Sequence, residues 1–382
     1  MDVTELTDLV DAEAAEAERI RQLTPVVMDA ATDMDLFRMV VPTRYGGRGA
    51  GLAELIDTTR ELAKGCPASA WTLSFLVMHN WLITRFPERL QDEILGGEPG
   101  YGLVPAPLAP TGSMRSVTDA GGRPGWEVSG RWEWATGVRH ADWVMVTGIE
   151  DRSDTIAVRF AVLPIDEVQV EDVWHTSGMR ATGSDTVVVE GRFVPEHRTL
   201  VAESLLESGP PADGDGLAHL PVMGVLALLA AAPAVGAAER AVDEYERRLR
   251  ERVLAYSLGD RAAEQPHAQV RLGTALADVA AARAVLDAAV ERLDAIDGSD
   301  EPMRDRMAVR LAAADAVRRS VALIDLVCAG AGASVYKLDS PLQRLQRDVD
   351  VLKGHVIFDW DRTAELAGRV ALGLPLRPAD RL

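Results

Sequence analysis

The sequence predicts a mainly α protein carrying a β domain in its middle, and three observations along the chain predict it. Residues 1–100 hold helical periodicity, with Leu6, Leu9, Val10, Ala14 and Ala17 on one face and breaks at "VPTRYGGRGAG" and "KGCPAS". Residues 101–206 change to short runs rich in β-branched and aromatic side chains, "WEVSGRWEWA", "DWVMVTGIE", "IAVRFAVLP" and "DTVVVEGRFVP", separated by turn residues. That pattern predicts antiparallel strands. After "ESGPPADGDG", residues 207–382 become rich in Ala, Leu and Arg at helical spacing, through to "LAGRVALGLP", which predicts three or four long helices packed as a bundle.

Charge and composition narrow the classes of function. A formal net charge of -19 repels phosphate backbones and supplies no basic run, so nucleic acid is not an expected partner. Cys66 and Cys328 form no CxxC pair, which implies neither a disulfide framework nor a metal cluster. The acidic start "MDVTELTDLVDAEAAEAER" does not read as a signal segment, and the apolar run 222–238 is too short and Ala-rich for a membrane span. The chain reads as cytoplasmic, with that run as a buried core helix.

Three motifs then specify a family. "VVPTRYGGRGAGL" (40–52), "WHTSGMRATGSDTVVVEGRFVPEHR" (174–198) and "SPLQRLQRDV" (340–349) resemble the acyl-CoA dehydrogenase superfamily along almost the whole chain, the middle motif most specifically. The resemblance implies an N-terminal helical domain, an antiparallel β-barrel-like domain and a C-terminal four-helix bundle. It also implies a homotetramer and a flavin held between the middle and C-terminal domains and a neighbouring subunit.

Superfamily membership does not decide the reaction. A dehydrogenase needs a carboxylate to take the proton alpha to a thioester. The position that usually carries it, counted from Arg347 and Asp348, holds Val356, and residues 216–238, where a second subgroup keeps its glutamate, contain no carboxylate. Next to Val356 stands His355, in "VLKGHVIFDW". This pattern resembles the two-component flavin-dependent monooxygenases of the superfamily, among them the oxygenases of 4-hydroxyphenylacetate hydroxylase, the steroid-catabolic phenol hydroxylases and dibenzothiophene monooxygenase. In that branch a separate NAD(P)H:flavin reductase supplies reduced flavin, and dioxygen is trapped as a C4a-(hydro)peroxyflavin. His355 would then hydrogen-bond the peroxide or take a proton from a phenol or amine substrate. The alternative is a core-edge histidine in a helix, with Leu352 and Phe358 three residues to either side and Asp359 as its partner.

Further residues follow from the same resemblance. Trp134, Thr136 and Gly137, in a Trp-Ala-Thr-Gly turn, resemble the turn that approaches flavin N5, and the Thr136 hydroxyl would protect the adduct. A turn threonine favoured by propensity is the plainer reading. His79, on a helix striped with Trp71, Phe75, Met78 and Trp81, is a candidate substrate contact, although the stripe itself reads as core. Gln269 resembles a position near a neighbour's flavin, and Arg347 either meets flavin phosphate or joins structural ion pairs with Arg344 and Asp348. Arg180 closes a β-domain turn, and His140 reads as a surface or turn residue. "CAGAGASVY" (328–336) follows no strand, so it does not support a nicotinamide fold and reads instead as close helix packing at Gly330 and Gly332. Three functions stay open: a reduced-flavin monooxygenase for an aromatic, heteroaromatic or amine-bearing molecule using FMN or FAD, an acyl-CoA dehydrogenase with an unrecognised base, and a flavin-free scaffold.

Overall fold

The structure is a computed structural model that describes residues 1–151, 157–210, 212–254, 259–296 and 303–377. Ile156 of the expected strand 156–164 and Pro211 of the linker lie outside the described residues. Five helices come first: α1 (Val3–Ile20), α2 (Pro25–Asp33), α3 (Leu52–Gly65), α4 (Pro67–Ile83) and α5 (Glu88–Leu95). The Asp2 side chain accepts from Glu5 N–H while Glu5 reaches back to Asp2 N–H, a reciprocal cap that fixes the start of α1. α4 is apolar on all sides, and every residue of it except Phe75 is buried, which places it at the centre of the molecule.

Among the described residues seven strands follow: β1 (Gly112–Thr118), β2 (Pro124–Ala135), β3 (Trp143–Glu150), β4 (Val158–Pro164), β5 (Gln169–Glu171), β6 (Asp185–Pro195) and β7 (Thr199–Val201). They form one sheet in the order β5-β6-β2-β1-β3-β4-β7. The pairing corrects the expectation of a purely antiparallel domain, because β1 and β3 run parallel through Gly112–Met114 and Gly148–Glu150. Alternation along a strand says which face is buried and not which neighbour it joins. Register shifts in the β2–β6 pair, one of them between Trp132 and Ala135, push Trp134 out of the ladder, and its backbone takes a φ of 67°.

A short helix α6 (Ala202–Leu206) leads to the bundle: α7 (Val222–Glu251), α8 (Pro266–Asp294), α9 (Met303–Ala331), α10 (Pro341–Leu352) and α11 (Trp360–Ala371). Three of these are long and two have 12 residues. α7 extends well beyond the apolar run seen in the sequence, to 30 residues, and among the described residues it is the one helix long and apolar enough to cross a membrane. It is instead a core helix, packed between α3, α4, α8 and α9 with residues 225–238 buried throughout. At Gly330, in α9, an added Cβ would collide with Arg271 and Tyr245, so close helix packing explains this glycine. Both cysteines are buried free thiols.

The end of α10 requires a second correction. Gly354 N–H closes a turn on the Val351 carbonyl, so His355 lies in the α10–α11 connection and not in a helix. Asp359 does not face it as a helical partner; its carboxylate caps α11 by accepting from Arg362 N–H at 3.1 Å.

Candidate active site

A cavity of about 340 Å³ opens where α4, the end of β2 with the turn after it, the turn before β6, and the α10–α11 connection meet. Its β-domain wall is built by hydrogen bonds. Trp71 Nε1–H, on α4, donates to Thr136 Oγ1 at 3.3 Å. Thr136 Oγ1 lies 2.9 Å from Ser184 Oγ, which lies 2.7 Å from Thr182 Oγ1, and Thr182 donates to the Met179 carbonyl at 2.9 Å. Trp174 Nε1–H donates to the same carbonyl at 2.9 Å. Left-handed backbone at Trp134, Met179, Gly137 and Gly183 lets these turns fold back so tightly. Trp134 stands 62% exposed, as an aromatic flap on the rim.

Two buried carboxylates hold this wall. Asp185, fully buried at the start of β6, accepts from both Val173 and Trp174 N–H at 2.9 Å and is paired with Arg139 at 2.7 Å. Asp348, on α10, accepts from Met179 N–H at 2.6 Å, and burial pushes its carboxyl up to about 6. At the neighbouring Gly178 an added Cβ would collide with the Arg347 carbonyl, so the β domain and α10 meet there backbone to backbone.

The bundle wall is looser. Val351, Leu352, Gly354, His355 and Val356 line it, and the His355 ring sits 5.7 Å from the Trp71 ring, edge to face. Ile357 N–H donates to His355 Nδ1 at 3.3 Å, so the neutral ring keeps its proton on Nε2. His355 is open toward the cavity, yet the protein packed around it pushes its imidazole down to about 4. At neutral pH it is an uncharged ring that can donate from Nε2.

Of the residues singled out from sequence, His355, Thr136 and Trp134 line this cavity together. Gly137 lies just behind, its N–H donating to the Thr182 carbonyl at 2.8 Å, and an added Cβ there would press on Thr72 and Leu76. His79 does not line it. Its ring is 3% exposed and bonded from Nδ1 to the Val104 carbonyl at 2.6 Å, with Phe75 between it and Trp71; burial pushes it down to about 4. Gln269 is remote and exposed near the start of α8, donating to the Ala263 carbonyl. Arg347 is a clamp rather than a cavity residue, donating to Glu18 at 2.5 Å, the Ser177 carbonyl at 2.6 Å and Gln343 at 2.8 Å. Arg180 opens the short 3-10 turn before Gly183. His140 is half-buried in its turn rather than on the surface, and burial pushes it down to about 4. Sequence reasoning left Trp71 to the core stripe; it set the Gly178–Ser184 turn of the 174–198 motif near the flavin by family resemblance, with no separate role for Met179, Thr182 or Ser184 and none for Trp174.

Comparison with known proteins agrees with this geometry. Residues 4–94 match the family described as acyl-CoA dehydrogenase, N-terminal domain, and residues 228–360 the family described as acyl-CoA dehydrogenase, C-terminal domain. The chain is 33% identical to a pigment production hydroxylase of Rhodococcus sp. (strain ATCC 21145), covering 98% of this chain and 99% of that protein. It is 31% identical to the flavin-dependent monooxygenase oxygenase subunit HsaA of Mycobacterium tuberculosis, covering 97% and 93%. The crystal structure of 3-HSA hydroxylase from Rhodococcus sp. RHA1 superposes with a TM-score of 0.87 at 28% identity over 98% of this chain and 96% of that one. XiaF from Streptomyces sp., in complex with FADH2 and glycerol, superposes with a TM-score of 0.90 at 26% identity over 99% and 96%. With an aromatic-walled cavity, a hydroxyl turn and a neutral histidine where the sequence motifs converge, the chain belongs to the acyl-CoA dehydrogenase superfamily, in its branch of flavin-dependent monooxygenases.

Proposed function

We propose that this chain is the oxygenase component of a two-component monooxygenase and that it hydroxylates a neutral, planar aromatic molecule, with Thr136, Trp134 and His355 at the reacting end of the site. The observation that carries this reading is the cavity lining. Among the described residues it presents three tryptophans, three hydroxyls and one imidazole, and no carboxylate, lysine or arginine. A flat ring system with polar edges fits such walls, and reduced flavin is one. A substrate bearing a free carboxylate or ammonium would be desolvated there without a counter-charge. The same lining disfavours an acyl-CoA dehydrogenase, since the two buried acids behind it are occupied, Asp348 by Met179 N–H and Asp185 by Val173 and Trp174 N–H and by Arg139.

Reduced flavin, when bound, activates dioxygen and delivers one oxygen atom. The protein's own contributions are binding and proton placement. Trp134 and Trp174 would flank a bound ring, and Thr136 Oγ1 would face its edge. His355 holds a proton at Nε2, from which it would donate a hydrogen bond to a ligand oxygen at that end of the cavity. The apolar Val351, Leu352 and Val356 exclude water from that end.

Names such as p-hydroxyphenylacetate 3-hydroxylase, oxygenase component, from Acinetobacter baumannii, and FADH(2)-dependent resorcinol hydroxylase, oxygenase component, from Rhizobium sp., support a separate reductase as the transient partner. Exposed apolar side chains on α8, such as Val270 at 70% exposure, support a homo-oligomer, for which a homotetramer in a cytoplasmic setting is the proposed form. The test is purified protein with NAD(P)H, FMN or FAD, and paired phenols with and without a carboxylate. Expected are no turnover alone, product once a flavin reductase is added, and a preference for the uncharged phenols. Reduction of bound flavin by NADH without a reductase would overturn the two-component reading. Better turnover of the carboxylated phenols would overturn the substrate class.

A further inference from the structure

The three hydroxyls beside the cavity have a fixed direction. A carbonyl can only accept, so the Thr182 proton lies on the Met179 carbonyl. Ser184 must then supply the proton of its 2.7 Å contact with Thr182. Its single proton spent, Ser184 accepts from Thr136 across 2.9 Å. Trp71 Nε1 only donates, and it fills one further lone pair of Thr136 Oγ1. Thr136 is left with one lone pair and no free proton. Reversing the row would turn the Thr182 hydroxyl's lone pairs onto the Met179 carbonyl at 2.9 Å, and that carbonyl cannot swing away because Trp174 Nε1–H and Thr182 N–H hold it and Asp348 holds the Met179 N–H.

We propose that Thr182 and Ser184 are positioning residues that make Thr136 a hydrogen-bond acceptor toward the cavity, so that the site favours a ring ligand whose facing nitrogen carries hydrogen, and hence reduced over oxidised flavin. This rests on the flavin-site reading above. Reduced flavin bears a hydrogen on its central-ring N5; oxidised flavin presents a bare acceptor there, which would meet the Thr136 lone pair with another lone pair. The selection comes from a row of protons anchored on the Met179 carbonyl, and neither Thr182 nor Ser184 has to touch the reacting atoms.

The test is anaerobic equilibrium binding of FMN and FAD, in both redox states, to wild type, Thr182→Val, Ser184→Ala and Thr182→Ser, with thermal melts and near-UV circular dichroism on the same samples. Wild type is expected to bind reduced flavin more tightly. Thr182→Val frees the Ser184 proton to point at Thr136, and Ser184→Ala removes the group to which Thr136 donates. Either change lets Thr136 donate to the cavity, and the preference for reduced flavin should fall about tenfold, mainly through tighter binding of the oxidised form. Thr182→Ser keeps the row and should keep the preference. Folded Thr182→Val and Ser184→Ala proteins with the wild-type preference would overturn the proposal, as would a wild type that binds both states equally. A wild type that binds neither state would instead sink the flavin-site reading, and the proposal with it. Should one variant fail to fold, the other decides alone, because each by itself releases the Thr136 proton from Ser184.

Discussion

The two walls of the cavity are made differently. On the β-domain wall almost every polar atom has a named partner, from Trp71 through Thr136, Ser184 and Thr182 to Met179 and Asp348. On the bundle wall His355 has one long bond to its own loop and ring contacts with Trp71 and Phe358. A wall fixed by hydrogen bonds sets the direction of protons; a wall fixed by packing can yield to substrates of different shape. In the function proposed above, the first wall serves the cofactor and the second accommodates the substrate.

The strongest way to break that contrast is at His355. His355→Asn should lower hydroxylation by ~10² to 10⁴-fold while reduced-flavin affinity and melting temperature hold, because its one backbone bond is exposed and an Asn oxygen can accept it. His355→Gln, whose N–H reaches further, should retain more activity than Asn if the histidine acts as a donor from Nε2. Since the ring is neutral down to about 4, the wild-type rate should show no limb near pH 6.5 from this group. A limb there that vanishes in His355→Asn would mean that the imidazole works as a titrating base.

Asp348 tests the other wall. Its folded carboxyl titrates at about 6, above the ordinary value of 3.8, so its contribution to stability is fully present below pH 3.8 and is lost as pH rises to about 6 and beyond. Asp348→Asn, which can still accept from Met179 N–H, should therefore gain stability relative to wild type across that window, by up to about 3 kcal/mol at neutral pH. Parallel urea melts from pH 4 to 8 measure it, and a constant gap between the two proteins would remove Asp348 as the group responsible.

Smaller effects follow inward. Thr136→Ala should leave the fold intact but raise the hydrogen peroxide released per reduced flavin consumed, by about tenfold if one protecting hydrogen bond is lost. Peroxide and product counted in the same coupled assay decide it. Smallest is His79→Gln, expected to cost about 1 kcal/mol of stability for the weakened bond to Val104, with the rate per folded molecule unchanged. A selective loss of rate would bring His79 back as a substrate contact.

How much of this could be read from the chain varies with the kind of interaction. The helix-to-strand-to-helix order was legible because periodicity is local, and α4 announced its burial by being apolar on every side. His355 and Thr136 were legible through motif register, which does not require knowing the fold in detail. The helix expected around His355 failed because periodicity was allowed to run through Lys353–Gly354, where a glycine ends α10. The parallel β1–β3 pair was invisible because strand partners are chosen over long distances. Thr182 and Ser184 stood in the quoted motif, but hydroxyl direction depends on the Met179 carbonyl, and that carbonyl is placed by an acid 169 residues away.

The rim also furnishes the protein with its own optical gauge. Three of its eight tryptophans, Trp71, Trp134 and Trp174, line the one cavity. A flavin absorbs where tryptophan emits, so filling the site should quench a large part of the intrinsic fluorescence, and Trp134→Phe should remove the component most accessible to water. Occupancy can therefore be titrated without labels and without oxygen, by the light of the side chains that would hold the ring.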